Sequence, residues 1–194
     1  MRIAMVGKMR SGKDTVADLI TLRCNCKHIA FADGITKVIQ ICFPEAFMQE
    51  KPREHYQFIG QQLRKLNPNV WVNYADRTIK DLGSITSIII TDCRQSNEEE
   101  YLRRNGFFIV KVVADDKVRL DRIAKAGESV TDEQFYHDTE KQVDLIEADY
   151  VIENNGTLAE MEKKVERLLE YYLCYIEPQL KYKKQLEDYE YEDK

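Results

Sequence analysis

Two glycines and a lysine, Gly7, Gly12 and Lys13, stand at the spacing of a phosphate cradle in the run Gly7-Lys8-Met9-Arg10-Ser11-Gly12-Lys13-Asp14-Thr15. A short apolar run, Arg2 to Val6, precedes it and a helical pattern opens at Lys13. Between a strand and a helix, such a loop turns its backbone N–H groups onto phosphate oxygens, and the helix N-terminus adds partial positive charge. Lys13 would reach the β- and γ-phosphates, with Lys8, Arg10 and Ser11 close by in sequence. Asp14 is the departure, because the usual loop has a hydroxyl there as a magnesium ligand. Its carboxylate either holds magnesium, directly or through water, or merely complements the helix dipole. Thr15, one step late, offers a hydroxyl to metal or phosphate.

A second chemistry-bearing set ends the run Ser84 to Asp92, as Thr91-Asp92-Cys93-Arg94. Strand ends of an open parallel sheet face the ligand crevice, so Asp92 and Arg94 are expected to project toward the phosphate loop. Asp92 would order magnesium or receive an acceptor hydroxyl; Arg94 would grip an acceptor phosphate in bidentate fashion. The alternative is an Asp–Arg pair closing a strand. Further on, Arg119 and Arg122 share a helix face that Lys125 continues. Arginines folding over a transferring phosphoryl group supply what a kinase lid needs, against the plainer reading of a solvated basic face.

Five strand-like runs, at 2–6, 28–32, 84–92, 107–114 and 149–154, alternate with helical patterns. The pattern implies an α/β fold of three layers, a P-loop NTPase fold with a five-stranded, mostly parallel sheet. Residues 44–72, punctuated by Pro44, Pro52 and Pro68, read as short helices and loops. Asn97 reads as an N-cap and Gly106 as the stop of the helix between them. Thr157 and Glu160 form a capping box for a last helix with Leu158, Met161, Val165, Leu168, Leu169 and Tyr172 on one face. We read residues 1–176 as one domain, about 44–80 as an acceptor-binding insert, about 115–145 as lid-like, and 177–194 as a charged tail, frayed or solvent-facing.

The chain of 194 residues has a net charge of −5, which argues against binding nucleic-acid polymers or membrane surfaces. It has no apolar run of membrane-spanning length and five cysteines without a pairing framework, so a reducing cytoplasm is expected. Self-association as a homodimer stays open.

Taken together, these segments resemble the bacteriophage deoxynucleoside monophosphate kinases. Arg10 to Thr15 looks like the family's R-S-G-K-D-T loop, in which the aspartate is normal. Phe31-Ala32-Asp33, Gln57 with Ile59-Gly60 and Trp71-Val72 resemble its middle segments. Asp92, Arg94 and Glu98 or Glu99 match its D-x-R-x-x-x-E pattern, and His137-x-x-Glu140 and Asn154-Asn155-Gly156 its later elements. The resemblance implies ATP with Mg2+ on the loop, Asn155 and Gly156 near the adenine, and a small-molecule nucleotide acceptor lined by Asp33, Arg64, Trp71 and Arg94. His137 and Glu140 would position substrate or lid. Rival readings are a related kinase of phosphomevalonate or dephospho-coenzyme A, and a non-catalytic ATP-binding protein that signals through its tail.

Overall fold

Isoleucine and valine dominate the sheet for a simple steric reason. Strands covered on both faces need apolar, β-branched side chains at every position, whichever way each points. In the computed structural model, which describes residues 1–194 except 49–51, 84–85, 128–129, 132–134, 136–137 and 193–194, the strands are β1 (Arg2–Val6), β2 (Lys27–Ile29), β3 (Ile88–Cys93), β4 (Phe108–Val113) and β5 (Tyr150–Glu153). They lie in the order β2-β3-β1-β4-β5, and every pairing is parallel. Alternation along β1 divides the core: Ala4 and Val6 pack on one face with Ile88, Ile90 and Ile109, while Ile3 and Met5 pack on the other with Ile89, Val110 and Val112.

Helices cover both faces. On the first lie α2 (Asp33–Cys42), α4 (Val70–Leu82) and α5 (Ser96–Arg104), which contribute Ile35, Ile39, Trp71, Ala75, Ile79 and Leu102. The second is covered by α1 (Lys13–Cys24), through Val16, Ala17 and Ile20, and by α8 (Leu158–Tyr171), through Met161, Val165, Leu168 and Leu169. Between them in sequence come α3 (Arg53–Leu66), α6 (Asp116–Lys125) and α7 (Asp138–Leu145). The capping box at Thr157 and Glu160 is present, and Leu158 is the one residue of the expected apolar face left exposed.

Several expectations need correction. Residues 44–72 hold a single 3₁₀ turn, Pro44–Phe47, followed by two long helices rather than short ones. Pro52 caps α3 and Pro68 precedes α4, so both prolines sit where a missing N–H costs nothing. Gln95, not Asn97, caps α5, in a box closed by Glu98. The Asn97 amide instead reaches Pro68 O at 3.1 Å and Asn69 Oδ1 at 3.0 Å, tying α5 to the loop before α4. β2 is shorter than expected, because Ala30–Ala32 turn directly into α2. The C-terminal segment is helical: a π-helical turn (Tyr172–Ile176) leads into α9 (Glu177–Glu192).

The apolar sheet centre is packed on both faces, so truncation there should be expensive. We expect Ile89→Ala, at a fully buried position, to lower unfolding free energy by about 2–5 kcal/mol in urea titration. Leu22→Ala, at a position 82% exposed, should change it by less than about 0.5 kcal/mol.

Candidate functional site

The phosphate loop leaves β1 beside β3, where the β1–β3 register shifts between Ala4 and Val6. Arg10 and Gly12 both adopt positive φ, 60° and 97°, which bends the loop back over the start of α1. Any Cβ on Gly12 would collide with the Asn154 amide, and one on Gly7 would come within 2.5 Å of Ser11 Oγ and 2.7 Å of Val112 O. Ser11 Oγ is buried with no hydrogen-bond partner among the described residues. An orphaned hydroxyl costs about 1–3 kcal/mol. A phosphate oxygen seated in the loop would satisfy it, so the cradle fits the ligand that its sequence implies.

The carbonyls of Met9, Arg10 and Ser11 are held by side chains from outside the loop. Arg119 Nε donates to Met9 O at 2.8 Å; Arg122 Nη1 donates to Arg10 O and Ser11 O, both at 3.2 Å. Asn154 Nδ2 donates to Ser11 O at 2.7 Å, and Arg122 Nη2 ties the same region to Asn154 O at 2.9 Å. Arg119 is only 2% exposed, pairs with Asp116 at 2.7 Å and stacks 4.3 Å from the Phe135 ring. That placement corrects the expectation of a lid arginine: Arg119 supports the loop from the protein interior. Arg122 lines the larger cavity, with its guanidinium engaged by the loop.

Two cavities open at the carboxyl end of the sheet. The larger, about 780 Å³, combines Gly12, Lys13, Asp14 and Thr15 with Arg53, Arg122, Lys125 and Asn154, and has an apolar end at Leu158 and Met161. The smaller, about 410 Å³, lies between the end of β3 and helices α2 and α3; Asp33, Thr36, Tyr56, Arg64, Asp92 and Glu98 line it. Lys13, Asp14 and Arg94 belong to both. Lys13 Nζ sits 3.1 Å from the Asp14 carboxylate, which is 74% exposed. No cluster of three or more His, Cys, Asp or Glu residues suited to a metal occurs among the described residues. A magnesium ion here would take most of its oxygen ligands from phosphates and water, with Asp14 and Thr15 the chain's nearest contributors.

Three carboxylates of the smaller cavity, Asp33, Asp92 and Glu98, accept from backbone N–H groups. Asp92 accepts from the N–H groups of Phe31 (2.8 Å) and Ala32 (2.9 Å), and Asp33 accepts from Ala30 N at 2.8 Å. Asp92 therefore fixes the β2–α2 turn while facing the cavity. Glu98 is 2% exposed; its Oε2 accepts from Arg94 N (2.8 Å) and Gln95 N (3.1 Å), and its Oε1 faces Arg64 Nη2 at 3.4 Å. Burial, with the nearby Asp92 charge, pushes the Glu98 carboxyl up to about 7, and burial raises Asp92 as well.

Sequence reasoning and structure part at other positions. Trp71, expected on the acceptor side, is 3% exposed and donates its indole N–H to Gly60 O at 3.2 Å, so it belongs to the core. Tyr56, hydrogen-bonded to Thr36 at 2.7 Å, and Phe31 are the aromatic residues that line that cavity among the described residues. Asn154 rather than Asn155 lines the larger cavity with Gly156; Asn155 Oδ1 accepts from Asp115 N at 2.8 Å. Lys8 pairs with Asp144 of α7 at 2.8 Å and is absent from the cleft lining. His137 lies outside the described residues, and so does the Glu140 side chain. Tyr56 and Arg53 had no motif to reveal them, whereas Glu98, with Glu99 as the alternative, was marked by the D-x-R-x-x-x-E resemblance, and the structure shows it closing a capping box with Gln95.

The family model described as an AAA domain matches residues 3–145, from β1 through α7. The chain belongs to the AAA domain family. No curated protein matches it by sequence. Among solved structures, this AAA domain is similar to shikimate kinase from Aquifex aeolicus (TM-score 0.54, 22% identity, covering 90% of this chain and 99% of that one). It is also similar to shikimate kinase from Acinetobacter baumannii in complex with shikimate (0.56, 17%, 89% and 92%) and to dephospho-CoA kinase from Campylobacter jejuni (0.51, 14%, 88% and 96%). At these identities the likeness establishes the fold, that of P-loop small-molecule kinases. No helix among the described residues is long and apolar enough to cross a membrane.

The buried position of Arg119 yields a distinguishing test. Arg119→Ala should lower stability by about 1–3 kcal/mol, because it leaves Met9 O without its donor and removes the packing against Phe135. Calorimetry would register this without nucleotide; a lid arginine would leave the melting temperature unchanged and lower only turnover.

Proposed function

We propose that this AAA domain is an ATP-dependent kinase that phosphorylates a deoxynucleoside monophosphate to the diphosphate. The observation carrying the proposal is the shared rim: Lys13, Asp14 and Arg94 line both cavities, so a donor phosphate and an acceptor phosphate would meet there. An ATP sensor has no use for a second polar cavity against its phosphate loop. A volume of about 410 Å³ suits a compact acceptor, at the small end of the range for ligand sites. The resemblance of Arg10–Thr15, Phe31–Asp33 and Asp92–Glu98 to the phage kinases favours a deoxynucleotide.

Bound magnesium–ATP would supply the transferable phosphoryl group, with ADP as leaving group. The chain's own residues then position and neutralise. Loop N–H groups and Lys13 would hold the β- and γ-oxygens, with Arg122 keeping the loop in shape. Arg94 and Arg64 would grip the acceptor phosphate, whose oxygen forms the new bond to phosphorus as the bond to the ADP oxygen breaks. An acceptor phosphate is already ionised at neutral pH and requires no strong base, so orientation and charge stabilisation carry the rate.

Release of ADP, measured with magnesium–ATP against deoxy- and ribonucleoside monophosphates, dephospho-coenzyme A, phosphomevalonate and shikimate, tests this reading. We expect turnover with one or a few deoxynucleotides and a loss of more than tenfold in Lys13→Ala. Turnover only with a non-nucleotide acceptor would replace the substrate, and near-normal activity of Lys13→Ala would remove the loop from the mechanism.

A further inference from the structure

Glu98 is a carboxylate that neither the sheet nor the phosphate loop requires. It is nearly inaccessible yet lines the smaller cavity, and its two oxygens have separate partners. Oε2 completes the capping box of α5, which would explain its presence at a helix start. Capping does not explain Oε1, directed at the guanidinium of Arg64 on α3. Through Oε2 the same side chain also fixes the backbone N–H of Arg94. One carboxylate thus joins the strand end that bears Arg94 to the insert helix that bears Arg64.

We propose that Glu98 is a positioning residue that sets Arg64 and Arg94 as a two-arginine clamp for the acceptor phosphate. The proposal rests on the reading that the smaller cavity takes a phosphorylated acceptor. Ordering a long arginine side chain costs conformational entropy, and an anchor already in place lowers that cost. Glu98 holds the Arg64 guanidinium through Oε1 and the Arg94 backbone through Oε2 before the acceptor arrives. The groups facing Glu98 are Asp92 and Cys93 of β3, Arg94 after it and Arg64 of α3. The charged form that holds Arg64 prevails above about pH 7, and protonation below it weakens the hold. Since Oε2 already accepts two N–H bonds, the proton would go to Oε1, on the Arg64 side.

Glu98→Gln keeps the shape and an acceptor oxygen for the cap while removing the charge, so it separates the two roles. At pH 8 we expect the acceptor KM to rise about tenfold, with the ATP KM changed by less than twofold. Toward pH 6 the wild-type KM should climb to meet that of the variant; ionisation of the acceptor phosphate affects both proteins equally and cancels in the ratio. Arg64→Met should give the same acceptor-selective rise, and the double variant should be no worse than either single one. A KM ratio independent of pH, equal changes for both substrates, or additive effects in the double variant would overturn the clamp.

If Glu98→Gln does not fold, Arg64→Met decides through the same selectivity. If wild type phosphorylates no acceptor on the panel, the substrate reading fails by itself. The clamp is then judged by calorimetry of inorganic phosphate added to protein saturated with a non-hydrolysable ATP analogue. Tighter binding to wild type than to Glu98→Gln at pH 8 supports it, and equal binding rejects it.

Discussion

A loop that binds anions through its N–H groups must dispose of its carbonyls, since every inward amide turns an oxygen outward into the protein. The rest of the site depends on how this chain meets that demand. Arg119 and Arg122 from α6 and Asn154 from the end of β5 donate to Met9 O, Arg10 O and Ser11 O, and the Ser11 N–H returns to Lys8 O at 3.1 Å. With their oxygens held in this way, the peptide units between Met9 and Gly12 cannot rotate to point carbonyls at the ligand. The cradle is therefore preorganised, and binding does not have to reorient it. This explains why an arginine can be almost wholly buried beside the phosphate loop.

The parallel sheet makes that arrangement available. Because β1 lies between β3 and β4, its carboxyl end has one neighbour on each side, and each neighbour leads to a different function. The β3 side supplies Asp92, Arg94 and, one turn into α5, Glu98. The β4 side leads to α6 with its two bracing arginines, and β5 beyond it ends at Asn154. Asp92 extends the frame sideways: by accepting from Phe31 and Ala32 it fixes the turn from which α2 starts, and hence Asp33 and Thr36 on the cavity wall. A carboxylate in so dry a place is costly, which its raised proton affinity records, but two backbone N–H groups compensate it.

How much of this was legible beforehand follows from the range of each signal. The loop and strand ends were readable because their chemistry is written in contiguous residues and their position follows from βα alternation. Arg119 and Arg122 were readable as a pair but not as individuals. Residues three apart lie about 60° apart around a helix, too little for sequence to say which one turns inward. Trp71 met the same limit, since an indole suits a core and a base-stacking wall equally, and only Gly60 O and the bare backbone of Gly34 settle where it packs. Prolines 52 and 68 misled because a proline starts a helix as readily as it ends one. Tyr56, a single aromatic on an amphipathic helix, carried no local mark at all.

Charge divides the two cavities more sharply than shape does. Arg10, Lys13, Arg53, Arg94, Arg122 and Lys125 face the larger one against Asp14 alone, a local field suited to a triphosphate on a chain whose net charge is −5. The smaller one sets Lys13, Arg64 and Arg94 against Asp14, Asp33, Asp92 and Glu98. Such a near-balanced wall can hold one phosphate between two arginines but penalises each further negative charge. On the proposed reaction this asymmetry has a direction. A polyphosphate seated whole in the smaller cavity would bring its further charges against Asp33, Asp92 and Glu98. Three anchored carboxylates would thus disfavour a polyphosphate in that cavity, with side chains that also hold the backbone at the ends of β2 and β3.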